Sequence, residues 1–309
     1  MSDPARLRIG YALGSGSARG WAHMGVINAL AELGVEPDIV CGTSIGAVVA
    51  AACAASRLER LLDGTRGLTR LQVARFLNLN WSLNSFIDQK RLTNFLHESL
   101  CDAELDFREL SKKLATVATD LESGKEVWFT EGSVLNAVSA SIALPGLLQP
   151  VRIQGRWLVD GGLVNPVPVS LCRALGADVV IAVNLNSGIV GNPLVEPPNN
   201  GVRNHFLDSL MPQRKLQAPI PETTTESLPK IRQRRPGLLD VLGRSINITQ
   251  DRITRSRMAG DPPDIVLSPR LSHIGLFEFH RVAEAVGEGE QCVARMLSEI
   301  RHVLPGVIT

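Results

Sequence analysis

Apolar runs and amphipathic stretches alternate along most of this chain. Residues 7–14 (LRIGYALG) form an apolar run that stops at a glycine-rich stretch, which predicts a buried strand. Residues 21–34 (WAHMGVINALAELG) follow with Met24, Ile27, Leu30 and Leu33 on a helical period and Gly34 as the stop. Residues 37–44 (PDIVCGTS) read as a second short strand. Residues 45–56 (IGAVVAAACAAS) read as a helix whose small side chains permit close packing. The stretch 57–100 reads as mostly helical. Two strands are expected at 114–121 and 126–132, joined by the turn residues ESGK. A helix broken near Pro145 covers 134–148, a hairpin turning at Gln154 and Gly155 covers 151–162, and a helix covers 167–177. The β-branched run 178–186 (DVVIAVNLN) predicts a buried strand. Later come an amphipathic helix at 237–258, a strand at 262–269 and a C-terminal helix at 277–304. Strands alternating with helices predict an α/β fold with a mainly parallel sheet covered on both faces. No internal repeat is visible.

Composition changes the picture at one place. Eight of the 18 prolines fall between residues 187 and 236, with low-complexity pieces such as PLVEPPNNG and PIPETTTESLPK. That divides the chain into a first part of the core (7–187), a proline-rich insertion or mobile linker (188–236) and a second part of the same domain (237–309). From Val202 to Met258 there are 11 Lys or Arg against 5 Asp or Glu, so peripheral contact with an anionic membrane is one reading and a solvated face is the other. The whole chain of 309 residues has a formal charge of +1, which gives no reason to expect a nucleic-acid partner. The first residues lack the apolar run and cleavage site of a signal peptide. The most apolar stretch is about 12 residues, short of the ~20 that span a bilayer. A cytoplasmic protein is expected. The five cysteines are odd in number and contain no CxxC, so they are read as reduced packing residues and no metal site or cofactor is expected.

Two glycine-rich segments carry candidate chemistry. Gly42-Thr43-Ser44-Ile45-Gly46 matches G-x-S-x-G between a predicted strand and a predicted helix, a context in which the serine is held on a strained turn. The helix N-terminus behind Ser44 favours negative charge on its oxygen. A tight turn with an N-cap serine is the plainer reading. The segment from Gly14 to Gly20 (GSGSARG) fails the dinucleotide fingerprint, because Arg19 stands where the third glycine should be. No Gly-Lys-Ser/Thr follows, so a P-loop fails too. What remains is a turn exposing backbone N–H groups at a helix start, suited to an oxyanion or simply a tight connection.

A nucleophilic serine needs a base. His23, His97, His205, His273, His280 and His302 stand on helical, proline-rich or C-terminal segments, and none sits in a sharp turn after a strand. Asp160 does: RWLVDGGLVNPVPV puts its carboxylate at a strand end before Gly161 and Gly162, where ligands gather in open α/β sheets. A carboxylate accepts a proton without a third group to select a tautomer. A simple Asp-Gly-Gly turn is the alternative.

Taken in order, these segments resemble the patatin-like phospholipase family, and within it the bacterial RssA-type group. The resemblance runs through ALGSGSARGWAHMGVINAL, GTSIG, VATDLESGKEVWFTEG, SASIALPGLLQPV, WLVDGGLVNPVPVSLCRALGADVVIAVNL and SRMAGDPPDIVLSP, covering about residues 7–187 and 238–300. It implies a three-layer α/β/α fold and a Ser–Asp dyad of Ser44 and Asp160. It also implies an oxyanion hole from the loop Gly14, Gly16, Ser17, Ala18, Arg19 and Gly20, with the N–H groups around Gly16, Ser17 and Ala18 as donors. Gly42 and Gly46 frame the nucleophile, and Gly161 and Gly162 complete the Asp-Gly-Gly motif. Ser15 and Ser17 depart from the family's commoner glycines. The implied activity is metal-free hydrolysis of a lipid ester, phospholipid or lysophospholipid. A thioesterase or serine protease would share that chemistry, and a lipid-binding scaffold would have no need of all three motifs.

Overall fold

The computed structural model of the chain describes residues 6–76, 89–100, 104–189 and 238–307. Residues 190–237, with His205 and most of the proline-rich segment, lie outside them, as does Cys101. In chain order the elements are β1 (Ile9–Leu13), α1 (Ala22–Glu32), β2 (Ile39–Thr43), α2 (Ile45–Ala54), α3 (Leu58–Arg66), α4 (Arg70–Phe76) and α5 (Gln89–Ser99). Then come β3 (Lys113–Asp120), β4 (Glu126–Phe129), α6 (Val134–Ser141), β5 (Val151–Ile153), β6 (Arg156–Asp160), α7 (Val169–Ala174) and β7 (Val179–Val183). The final described part supplies α8 (Leu238–Gly260), β8 (Ile265–Leu267), α9 (Val282–Arg295) and α10 (Leu297–Val303).

The sheet runs β5-β6-β3-β2-β1-β7-β8, with β4 also paired to β3. The five strands from β3 to β8 are parallel, while β4, β5 and β6 enter antiparallel. Every residue of β1, β2 and β7 is buried, which is why these strands read as continuous apolar runs. Alternate side chains serve two cores. Tyr11, Leu13, Val40 and Ile181 pack with α1, α2 and α9, whereas Ala12, Cys41 and Val180 pack with α7. The fold is the mainly parallel, helix-covered sheet that the alternating pattern predicts.

The register of β3 positions the site. Thr116 and Val117 pair with both β2 and β4, so those strands take opposite edges of β3. Ala118 pairs with Val127 of β4 and with Asp160 of β6, so β6 takes the β2 edge where β2 ends. Thr43 opposes Val117 and Asp160 opposes Ala118, which brings the ends of two strands distant in sequence to adjacent places on one edge.

The C-terminal helix differs from its prediction. The chain stays irregular until Val282, and the helix breaks at Met296 (φ −101°, ψ 8°) into α9 and α10. Phe279 is held out of the helix by Trp21, whose ring meets it edge-on at 6.0 Å and whose Nε1 donates to its carbonyl at 3.1 Å.

Candidate active site

Ser44 sits between β2 and α2 with φ 58° and ψ −127°, a conformation that costs a non-glycine residue about 1–3 kcal/mol. Its surroundings hold it there. The Ser44 N–H donates to Ser141 Oγ at 2.9 Å, at the end of α6. Behind it the chain packs too tightly for side chains, since a Cβ on Gly46 would collide with the Leu13 carbonyl. Gly46→Ala is therefore expected to destabilise the fold by about 1–3 kcal/mol and to lower its thermal midpoint, which a melting curve reads directly. The hydroxyl does not cap α2, as an N-cap serine would. It donates instead to Asp160 Oδ2 at 2.6 Å.

Asp160 is 1% exposed at the end of β6. Its other carboxylate oxygen, Oδ1, accepts from the Gly162 N–H at 2.6 Å, so one oxygen closes the Asp-Gly-Gly turn while the other faces Ser44. The turn needs glycine, because a Cβ on Gly161 would strike the Val117 carbonyl. The backbone is fixed as well: Thr119 Oγ1 donates to the Asp160 carbonyl at 2.8 Å, and the Asp160 N–H donates to the Ala143 carbonyl at 2.9 Å. Burial pushes the carboxyl up to about 6, against the hydrogen bonds from Ser44 and Gly162, which pull it down.

The loop Gly14–Gly20 lies beside this pair, and its backbone N–H groups divide into engaged and free. Gly14 donates to Val183, Ser15 to Pro166, Ala18 to Leu276 at 3.3 Å and Arg19 to Gly16. Those of Gly16 and Ser17 have no acceptor among the described residues. Of the expected donors, the Ala18 N–H is thus engaged by the Leu276 carbonyl. Ser17 adopts φ 52°, where glycine is commoner, and its hydroxyl is tied to the Leu276 carbonyl at 2.7 Å. Arg19 is 1% exposed and donates to the Gly16 carbonyl at 3.1 Å and to Asn247 Oδ1 at 2.8 Å. Because C=O and N–H point opposite ways across a planar peptide, holding the Gly16 carbonyl toward Arg19 turns the Ser17 N–H away from it. Desolvation lowers the Arg19 guanidinium to about 10, so it stays charged behind the loop at neutral pH.

Gly16, Ser17, Ser44 and Asp160 line a pocket of about 160 Å³. The rest of its wall is almost wholly apolar, with Val48, Phe95, Leu144, Leu148 and Phe277 among the lining residues. No histidine lines it among the described residues. His23 is buried on α1 with Nε2 against the Gly14 carbonyl at 2.8 Å, and burial pushes it down to about 4, so it stays neutral. His273 pairs with Glu284 at 2.6 Å and His280 with Arg70 at 3.2 Å, both on the surface. No group of side chains suited to a metal ion occurs among the described residues.

Three polar residues at this site carry no sequence signature of their own. Ser141 and Thr119 brace the backbone of Ser44 and Asp160, and Gln250 of α8 reaches the pocket wall.

A G-x-S-x-G serine at a strand–turn–helix junction of a helix-covered parallel sheet, facing a buried carboxylate, defines a hydrolase class of α/β protein. The profile of the patatin-like phospholipase family matches residues 11–173, and the chain belongs to that family of lipid ester hydrolases. It is 31% identical to uncharacterized NTE family proteins of Mycobacterium bovis and Mycobacterium tuberculosis, over 94% of this chain and 91% of theirs. It is also 32% identical to patatin-like phospholipase domain-containing protein 7 of Mus musculus, over 58% of this chain but 14% of that protein. These comparisons do not single out the RssA-type group.

Proposed function

We propose that the protein is a serine acyl-ester hydrolase in which Ser44 is the nucleophile and Asp160 its base. The observation that carries this reading is the 2.6 Å hydrogen bond from Ser44 Oγ to Asp160 Oδ2, two residues that line an apolar pocket. Ser44 Oγ attacks the ester carbonyl as its proton passes to Asp160, which returns it to the departing alcohol oxygen. Water then gives a proton to Asp160, attacks the acyl carbon and releases the fatty acid, and Ser44 recovers its proton. The free N–H groups of Gly16 and Ser17 receive the negative charge that develops on the carbonyl oxygen, with the Arg19 cation behind them. The apolar wall suits an acyl chain, which favours phospholipid or lysophospholipid over a peptide bond. The local excess of Lys and Arg suits peripheral contact with an anionic membrane. No helix among the described residues is long and apolar enough to cross one.

A fluorophosphonate probe followed by a panel of lipid esters tests the assignment. Covalent labelling with release of fatty acid is expected, and labelling without turnover on any ester would contradict it. The pH profile gives a second check. Asp160 must be ionised to accept a proton, and its carboxyl lies near 6, so kcat/KM is expected to rise through an acid limb centred near pH 6. A limb near pH 4 would contradict the raised Asp160 carboxyl as the group that limits the reaction.

A further inference from the structure

Gln250 is a polar side chain of the pocket that the chemistry above leaves unused. It stands on α8, after the proline-rich segment, and is 5% exposed. Its amide orientation follows from its neighbours. The Ser15 carbonyl can only accept, so the Asn186 side chain turns Nδ2 toward it, at 3.4 Å. That same Nδ2 lies 3.0 Å from the Gln250 amide, which must therefore present Oε1. Oε1 also accepts from Ser15 Oγ at 2.9 Å. Nε2 is left on the opposite side, against Gly162 and beside the Asp160 carboxylate. A Cβ on Gly162 would collide with Nε2 and stand 2.9 Å from Asp160 Oδ1. Nε2 has no acceptor among the described residues and is not sealed from solvent, so it is open to the pocket that Gln250 lines and free to bind an oxygen there.

We propose that Gln250 is a positioning residue whose Nε2 holds the oxygen that exchanges a proton with Asp160. This rests on the Ser44–Asp160 reading and extends it. In acylation that oxygen is the ester oxygen of the leaving alcohol. As the acyl C–O bond breaks, the electron pair goes to this oxygen, an N–H donor steadies the charge, and the proton arrives from Asp160. In deacylation the oxygen is that of water, which accepts from Nε2, donates to Asp160 and keeps a lone pair for the acyl carbon. The Ser44 Oγ–acyl bond then breaks and Oγ takes the proton back. The inference also gives α8 a purpose at the site: Asn247 steadies the oxyanion loop through Arg19, and Gln250, about one turn further on, serves the leaving side.

Two variants of the full-length protein test this. Gln250→Leu removes the donor, and Gln250→Met removes it while keeping the length of the side chain and adding no charge beside Asp160. A fluorophosphonate attaches to serine by expelling fluoride, which leaves without a proton. Both variants should therefore label at near the wild-type rate. Their kcat on a lipid ester should fall about 10–100-fold with KM little changed, the worth of a hydrogen bond to a charged group. If Gln250→Leu fails to fold, Gln250→Met carries the test. Labelling and turnover falling together would show that Gln250 only packs the loop, and unchanged turnover would remove it from the reaction; either result overturns the proposal. A wild-type protein that does not label at all would instead overturn the Ser44–Asp160 reading beneath it.

Discussion

Ser44→Ala is expected to reduce ester hydrolysis by about 10³–10⁶-fold and to abolish fluorophosphonate labelling, with the fold intact. The size of the effect follows from covalent catalysis, since without Oγ no acyl-enzyme forms and the other groups act only on adventitious water. The fold should survive because the Ser44 backbone, not its hydroxyl, makes the contact to Ser141 that holds the turn. Alanine at φ 58° keeps the existing backbone strain and adds no new clash. The variant leaves Asp160 buried without its hydroxyl partner, so a modest loss of stability at neutral pH accompanies the loss of activity. Circular dichroism and a melting curve separate that from unfolding. Residual activity within tenfold of wild type would remove Ser44 from the reaction.

Asp160→Asn is expected to lower turnover by about 10²–10⁴-fold, the usual worth of a general base. The amide keeps the size and can still accept from the Gly162 N–H, so the turn persists, but it cannot take the serine proton. The same substitution has a stability signature of opposite sense. Burial raises the Asp160 carboxyl from 3.8 to about 6, so the folded state binds the proton more tightly than the unfolded chain. The stability that this contributes is fully present below about pH 4 and is lost as pH rises through about 6. Over that window the wild type should lose up to about 3 kcal/mol that Asp160→Asn does not lose. Urea unfolding of both proteins at pH 4 and pH 8 measures the difference. A variant that loses activity yet tracks the wild-type pH dependence of stability would mean that Asp160 is not the raised group.

Much of this was legible in the sequence because the signals were local. Continuous apolar runs marked β1, β2 and β7, whose side chains are buried on both faces of the sheet. Gly42, Gly46 and Gly161 marked turns where a Cβ would strike backbone, and those turns present both side chains. What joins the two is not local. It depends on β6 taking up the edge of β3 that β2 vacates, which only the register shows. The other surprises share that origin. The Ala18 N–H is engaged by Leu276 and the Ser44 N–H by Ser141, partners contributed by distant segments. Gln250 is a single amide on a long amphipathic helix, and nothing in its neighbours distinguishes it from a solvent-facing glutamine. The C-terminal helix was read too long because an aromatic contact to Trp21 outweighs the local preference around Phe279.

The most direct test of the Ser–Asp assignment is to map the probe adduct by peptide mass spectrometry, in wild type and in Asp160→Asn, over a timed series. The account predicts a single adduct on Ser44 in the wild type, with the rate of its formation falling by about 10²–10⁴-fold in Asp160→Asn. An adduct on another residue, or one that forms on Ser44 equally fast without the Asp160 carboxylate, would contradict it.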